Sequence, residues 1–213
     1  MKFADFYDLV PKIKNMPLPG QESHYKMAPL IRAEKLKGVD LEAKNPRRAG
    51  VVCLFYPDEN FQTKLLLILR KTYKGVHSNQ VGFPGGKVEL SDKNIEETAL
   101  RETWEEVGVS PKKISLVKKM SEVYIPPSNF IVQPFIGVAT ENLVFTLQED
   151  EVEALIEVSL DDFLSETAVF QENLTTSYAK NIDVPAFKLN NYTVWGATAM
   201  MLSEVKEMFK KLI

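Results

Sequence analysis

Apolar residues along this chain follow two rhythms: a helical spacing of 3–4 residues, and short continuous runs rich in β-formers. From Phe3 to Met16, the positions Phe3, Phe6, Leu9, Val10 and Ile13 predict a short amphipathic helix. Pro17, Pro19 and Gly20 stop it. Gln21 to Arg48 is polar and weakly periodic, so residues 1–45 read as an N-terminal extension and the core as beginning near residue 46. Val51 to Tyr56 and Lys64 to Leu69 are strand-like and are separated by the turn Pro57-Asp58-Glu59-Asn60. Further strand-like runs lie at Ile114 to Val117, Glu122 to Ile125, Ile131 to Ala139 and Val152 to Val158. Leu160 to Leu164 predicts a short helix. Ala168 to Trp195 predicts more short strands, turning at Asn190-Asn191. From Ala197 onward, Met201, Leu202, Val205, Met208, Phe209 and Leu212 form the apolar stripe of a C-terminal helix docked on the core.

One predicted helix, Ile95 to Val107, carries the candidate chemistry and ends at Gly108 in the C′ position. At ~100° per residue, with Glu102 at zero, Glu105 falls near roughly −60° and Glu106 near roughly +40°. Leu100, Trp104 and Val107 cluster on the opposite side and are the expected packing face. Most acidic helix faces are simply solvated. Here, however, like charges three and four residues apart oppose each other, and Arg101 is the only basic residue between Glu96 and Gly108. A divalent cation supplies the missing charge, and oxygen-only ligation favours Mg²⁺ or Mn²⁺. Just upstream, Pro84-Gly85-Gly86 lets the backbone approach an ion or a phosphate closely.

The bulk numbers narrow the setting. The chain has 213 residues, 45% of them hydrophobic and 26% charged, enough to bury a core without disulfides. Its single cysteine, Cys53, has no intrachain partner, which suits a reducing compartment. The first residues carry no apolar signal core, and no run is long enough to span a bilayer. A net charge of −3 argues against a nucleic-acid footprint. A soluble cytoplasmic protein with no membrane or nucleic-acid partner is expected.

With these residues in place, the sequence resembles the Nudix hydrolase family. That signature runs Gly, five residues, Glu, seven residues, then Arg-Glu-apolar-any-Glu-Glu-any-Gly-apolar. Here it appears as Gly86, five residues, Asp92, eight residues, then Arg101-Glu102-Thr103-Trp104-Glu105-Glu106-Val107-Gly108-Val109. Thr103 occupies an apolar position, one extra residue precedes Arg101, and either Asp92 or Glu89 takes the place of the first glutamate. Leu67 to Arg70, His77 to Gly86, Thr98 to Glu102 and Trp195 to Ala199 resemble the coenzyme A pyrophosphatase-like subfamily.

The resemblance implies an α/β/α sandwich around a mixed β-sheet, with residues 46–213 forming the Nudix domain. It implies one to three Mg²⁺ or Mn²⁺ ions held by Glu102, Glu105, Glu106 and the Gly86 carbonyl, with Arg101 orienting the glutamates. The general base is left open between Glu105 and a distant loop acid, for which Glu151 is the candidate. Arg70, Lys71 and His77 are candidate substrate contacts, and Arg47, Arg48 and Lys74 are further cations for a 3′-phosphate. Tyr124 and Phe130 are candidates to flank the substrate channel, and Trp195 is expected in the core. The implied partner is a small nucleoside diphosphate, coenzyme A or an acyl derivative, with NADH or ADP-ribose as alternatives; a homodimer is compatible with this reading.

Overall fold

The computed structural model describes residues 1–29, 41–72, 79–174 and 181–213, the Glu42 side chain excepted. In chain order, α1 (Phe3–Asn15), α2 (Gln21–Tyr25) and α3 (Leu41–Lys44) precede β1 (Arg47–Pro57) and β2 (Thr63–Arg70). Next, β3 (Val81–Gly82) and β4 (Gly85–Lys87) lead into α4 (Ile95–Val107). β5 (Ser115–Lys119), β6 (Val123–Ile125), β7 (Phe130–Val138) and β8 (Val152–Ser159) follow. The chain closes with α5 (Leu160–Leu164), β9 (Val169–Leu174), β10 (Ile182–Leu189), β11 (Tyr192–Val194) and α6 (Gly196–Lys210).

The main sheet runs β3-β2-β1-β7-β5, with β4 joining β1, β6 joining β7 and β8 joining β2. β1 and β7 are parallel and every other pairing in this sheet is antiparallel, so the sheet is mixed. Because successive strand residues point to opposite faces, β1 feeds two cores. Ala49, Val51, Cys53 and Phe55 join Leu65 and Leu67 of β2 on one side. Val52, Leu54 and Tyr56 join Leu66 and Ile68 on the other. Strands buried on both faces read as continuous apolar runs, which is why no alternation is visible in Val51 to Tyr56.

Helices cover both faces, completing the α/β/α arrangement. On the first, α1 inserts Phe6 and Ile13, and α6 inserts Leu202, Val205, Met208 and Phe209. The rings of Phe6 and Phe209 lie 5.1 and 5.6 Å from that of Phe55. The helix of the N-terminal segment is therefore part of the core. On the second face, α4 contributes Ala99 and Val107. A buried acid, Glu204 of α6, ties the segments of the first face together. It accepts hydrogen bonds from Gly20 N (2.9 Å), Ser121 Oγ (2.6 Å) and Ser121 N (3.1 Å), and it faces His24 Nε2 at 3.3 Å.

Two packing expectations need correction. Trp104 is 55% exposed, while the buried side of α4 is Thr98, Ala99, Thr103, Glu106 and Val107. The reason is close approach: a Cβ on Gly50 of β1 would lie 2.6 Å from Ile95 O and 3.1 Å from Ala99 Cβ. So near a backbone, only small side chains fit inward, and the indole turns to solvent. Thr103 fits its apolar position because its hydroxyl donates to Ala99 O at 2.7 Å. Trp104→Ala should therefore leave stability within about 0.5 kcal/mol of the parent. A melting drop equivalent to several kcal/mol would show that the indole is packed after all. Trp195 is also only half-buried, standing at the cap position before α6.

Candidate active site

The site is built where α4 crosses the β4 turn. Asn94 caps the helix, accepting from Glu97 N at 2.8 Å, and Gly108 ends it with φ of 75°. β4 pairs with β1 in the register Ala49↔Lys87, Gly50↔Gly86 and Val51↔Gly85, which fixes the Gly85-Gly86 backbone. Neither glycine has room for a side chain. At Gly85 (φ 140°) a Cβ would meet Gly50 O at 2.4 Å; at Gly86 it would meet Glu102 Oε2 at 2.2 Å. The Glu102 carboxylate thus lies directly against the Gly86 backbone.

Arg101 is the organiser. Its Nε donates to Asp92 Oδ1 at 2.8 Å and its Nη2 to Asp92 Oδ2 at 3.0 Å, a bidentate pair. Its Nη1 donates to Glu102 Oε1 (3.1 Å) and Glu105 Oε2 (2.8 Å), and its Nη2 also reaches Lys87 O (3.2 Å). Asp92, rather than Glu89, holds the arginine. Its side chain is 2% exposed and also accepts from Thr98 Oγ1 (2.8 Å) and Glu89 N (2.9 Å). Hydrogen bonding to Arg101, opposed by burial, holds the Asp92 carboxyl well below the usual carboxylate range. Thr98 is a contributor to which the sequence reading gave no role; its membership of the Thr98 to Glu102 stretch was the available signal.

Glu106 is 1% exposed. Gly85 N–H donates to its Oε2 at 2.8 Å, and Arg70 Nη2 to its Oε1 at 2.6 Å. Arg70 Nη2 also donates to Gly85 O at 3.1 Å. The structure thus gives the Arg70 guanidinium an occupation other than the phosphate contact expected from sequence. Burial pushes the Glu106 carboxyl up to about 7; Arg70 and Gly85 N–H work against this, and Glu102 and Glu151 reinforce it. Glu102 is likewise raised, first by burial, with Arg101 opposing and Glu105 and Glu151 adding repulsion.

Glu151 therefore shares an electrostatic field with both helix acids, although it lies 45 residues beyond Glu106. Backbone bonds bring it there. Gln148 N donates to Glu106 O at 3.0 Å, mooring the loop to the end of α4, and Lys71 N donates to Glu151 O at 2.8 Å, mooring it to the end of β2. Among the described residues, the Glu151 carboxylate has no hydrogen-bond or ion-pair partner. Lys71 Nζ lies 3.2 Å from Glu153 in an exposed pair, of little energetic weight. His77 and Lys74 lie outside the described residues. No helix among the described residues is long and apolar enough to cross a membrane.

Comparison with known proteins gives this geometry a family. Residues 45–178 match the model of the NUDIX domain. The chain is 29% identical over 174 residues to the peroxisomal coenzyme A diphosphatase ndx-8 of Caenorhabditis elegans, covering 81% of this chain and 73% of that one. It is 32% identical over 168 residues to the Nudix hydrolase NudL of Salmonella paratyphi B, covering 77% and 83% respectively. Among solved structures, the Nudix hydrolase RenU of M. smegmatis superposes with a TM-score of 0.54 at 15% identity, covering 79% of this chain and 88% of that one, a likeness of fold. The chain belongs to the Nudix hydrolase family. Within that family it is a pyrophosphohydrolase.

Proposed function

We propose that this chain hydrolyses the diphosphate bond of coenzyme A or acyl-coenzyme A, yielding 4′-phosphopantetheine (or its acyl form) and adenosine 3′,5′-bisphosphate. The observation that carries the substrate is the 29% identity to ndx-8, a coenzyme A diphosphatase, across 81% of the chain. The cytoplasm is the compartment we propose.

The donor set fits a hard dication. Glu102, Glu105, Glu106 and the Gly86 carbonyl offer only oxygen, and the Glu102 carboxylate already lies against Gly86. Among the described residues, no three acidic, histidine or cysteine side chains form a closed cage. Glu106 Oε2 accepts a single hydrogen bond, from Gly85 N, and so keeps a lone pair for a cation while Arg70 holds Oε1. Bound Mg²⁺ or Mn²⁺ supplies positive charge to the diphosphate oxygens, which otherwise repel an incoming nucleophile.

The remaining work falls to the chain. Arg101 holds Glu102 and Glu105 in fixed orientation, and Arg70 holds Glu106. Glu151 is the proposed base, with a carboxylate free among the described residues and in the field of both helix acids. It takes a proton from water as the water oxygen bonds to one phosphorus, and the bridging oxygen departs with the other phosphate. Glu105 is the second candidate, but its carboxylate is held by Arg101 at 2.8 Å.

The test is product analysis over a panel of coenzyme A, acetyl-coenzyme A, NADH and ADP-ribose, with Mg²⁺ and with excess chelator. Adenosine 3′,5′-bisphosphate should appear only with metal, and the coenzyme A forms should lead the panel. Rapid NADH cleavage beside inert coenzyme A would reject this substrate.

A further inference from the structure

The C-terminal end of α4 does more than stop a helix. A helix by itself leaves its last carbonyls unpaired. Here Glu106 O accepts from Gln148 N and Val107 O from Thr146 N, each at 3.0 Å. Residues 143–148 thus lie across the helix end as a neighbouring strand would, although they belong to neither sheet. The alternate residues Leu143, Phe145 and Leu147 turn into the second core. The Phe145 ring meets that of Tyr56 edge-on, with centroids 5.4 Å apart. Core burial and two helix carbonyls together fix the register of this segment.

Gly108 is what lets the segment come so near. A Cβ there would stand 2.9 Å from Thr146 Cβ and 3.0 Å from both Thr146 N and Thr146 O. All three atoms are backbone or fixed rigidly to it, so no change of rotamer makes room. Gly108 also has φ of 75°, but that alone does not demand glycine. Asn129, Asn190 and Asn191 of this chain all take positive φ. Room is the stricter demand at this position.

From Gln148 the chain reaches the site in one turn. Gln148 O accepts from Glu151 N at 3.0 Å and from Val152 N at 2.9 Å, and Lys71 N donates to Glu151 O at 2.8 Å. Glu106 therefore offers a carboxylate to the site and, through its carbonyl, moors the loop that carries Glu151. We infer that Gly108 is a positioning residue for the reaction. By leaving room for Thr146 it seats residues 143–148 on the end of α4, and so sets where Glu151 stands relative to Glu102 and Glu106. This rests on Glu151 as the base, and not on which diphosphate is cleaved.

The experiment compares Gly108→Ala, Gly108→Asn, Glu151→Gln and the Gly108→Asn, Glu151→Gln double variant on whichever panel substrate the parent cleaves fastest. Glu151→Gln should lower kcat about a hundredfold, the scale of general-base catalysis. Both Gly108 variants should lower kcat about tenfold or more with KM within about twofold, as misplacement of a catalytic group does. Asparagine should do no better than alanine, since either brings a Cβ. Direct Mn²⁺ binding, followed without substrate by the paramagnetic resonance of the free ion, should stay within about twofold of the parent's, because the acids of α4 remain. Amide hydrogen exchange should quicken at Thr146 and Gln148 and stay slow within α4. The double variant should be no more than about twofold slower than Glu151→Gln, since nothing is left to position. Near-parent turnover in Gly108→Asn beside a slow Gly108→Ala would show that only the left-handed backbone matters, and overturns the seat. Losses that multiply in the double variant overturn it as well, with Glu151 still the base. Parent-like kcat in Glu151→Gln overturns the base reading, and with it the role given to Gly108.

Discussion

Glu106→Gln is expected to lower kcat by about a hundredfold or more while the chain stays folded. Glutamine has nearly the same shape, so the buried position beneath Gly85 and Arg70 remains filled. What changes is the donor set. Both carboxylate oxygens accept hydrogen bonds now, from Gly85 N–H and from Arg70. An amide keeps one acceptor and places an N–H₂ against a donor, leaving one partner unsatisfied at a cost of about 1–3 kcal/mol. It also withdraws charge from the acids proposed to hold the dication. Burial already pushes the parent carboxyl up to about 7. Between its unfolded value, about 4.3, and about 7, the folded metal-free protein binds more protons than the unfolded one, so its stability falls as pH rises. Glutamine does not titrate, and melting curves in chelator from pH 5 to 8 should lose that slope. Turnover close to the parent's at saturating Mg²⁺ would remove Glu106 from the metal set.

Asp92→Ala should be the most destabilising single change in the site, at about 2–4 kcal/mol. Asp92 takes two bonds from Arg101, one from Thr98 and one from Glu89 N, and deleting it leaves a largely enclosed guanidinium without its main counter-charge. For a chain of this size that corresponds to a melting drop of roughly 10 °C. Activity should fall as well, because Arg101 also carries Glu102 and Glu105. The pH signature follows from a depressed carboxyl. Its stabilisation is fully present above the unfolded value, about 3.9, and is lost only as pH falls through the lower folded value. Parent and variant should therefore melt at a constant separation from pH 5 to 8 and converge only in strong acid. A variant melting like the parent at neutral pH would mean that Arg101 is held by its other partners alone.

The contrast between these residues and Trp104 shows where sequence reasoning stopped. The helical wheel placed Glu102, Glu105 and Glu106 along one edge of α4, and the structure keeps all three within reach of an arginine. The same wheel turned Trp104 inward, because it weighs hydrophobicity and not the room available. The strand beneath α4 carries Gly50, and the helix approaches it so closely that Ala99 and Thr103 face inward and the indole does not. Gly50 amid β-formers and the small residues of α4 were the readable hints. Arg70 and Glu106 lie 36 residues apart, and His24 and Glu204 lie 180 apart. Such pairings leave no periodic trace.

Local pattern alone therefore determined the longer strands, the ends of α1 and α4, the Asn190-Asn191 turn and the gathering of acids on α4, because caps, turns and a 3.6-residue period act over a few neighbouring residues; β3, β4, α2 and α3 are too short to carry such a signal. Asn190 and Asn191 indeed both take positive φ, and α4 ends at Gly108. Tertiary structure decided which side of α4 is buried, that Asp92 rather than Glu89 grips Arg101, that Arg70 clasps Glu106, and that Glu151 comes to share their field. Those outcomes depend on sheet register and on how closely one backbone can approach another. Both are properties of the assembled chain, set by contacts between segments far apart in sequence.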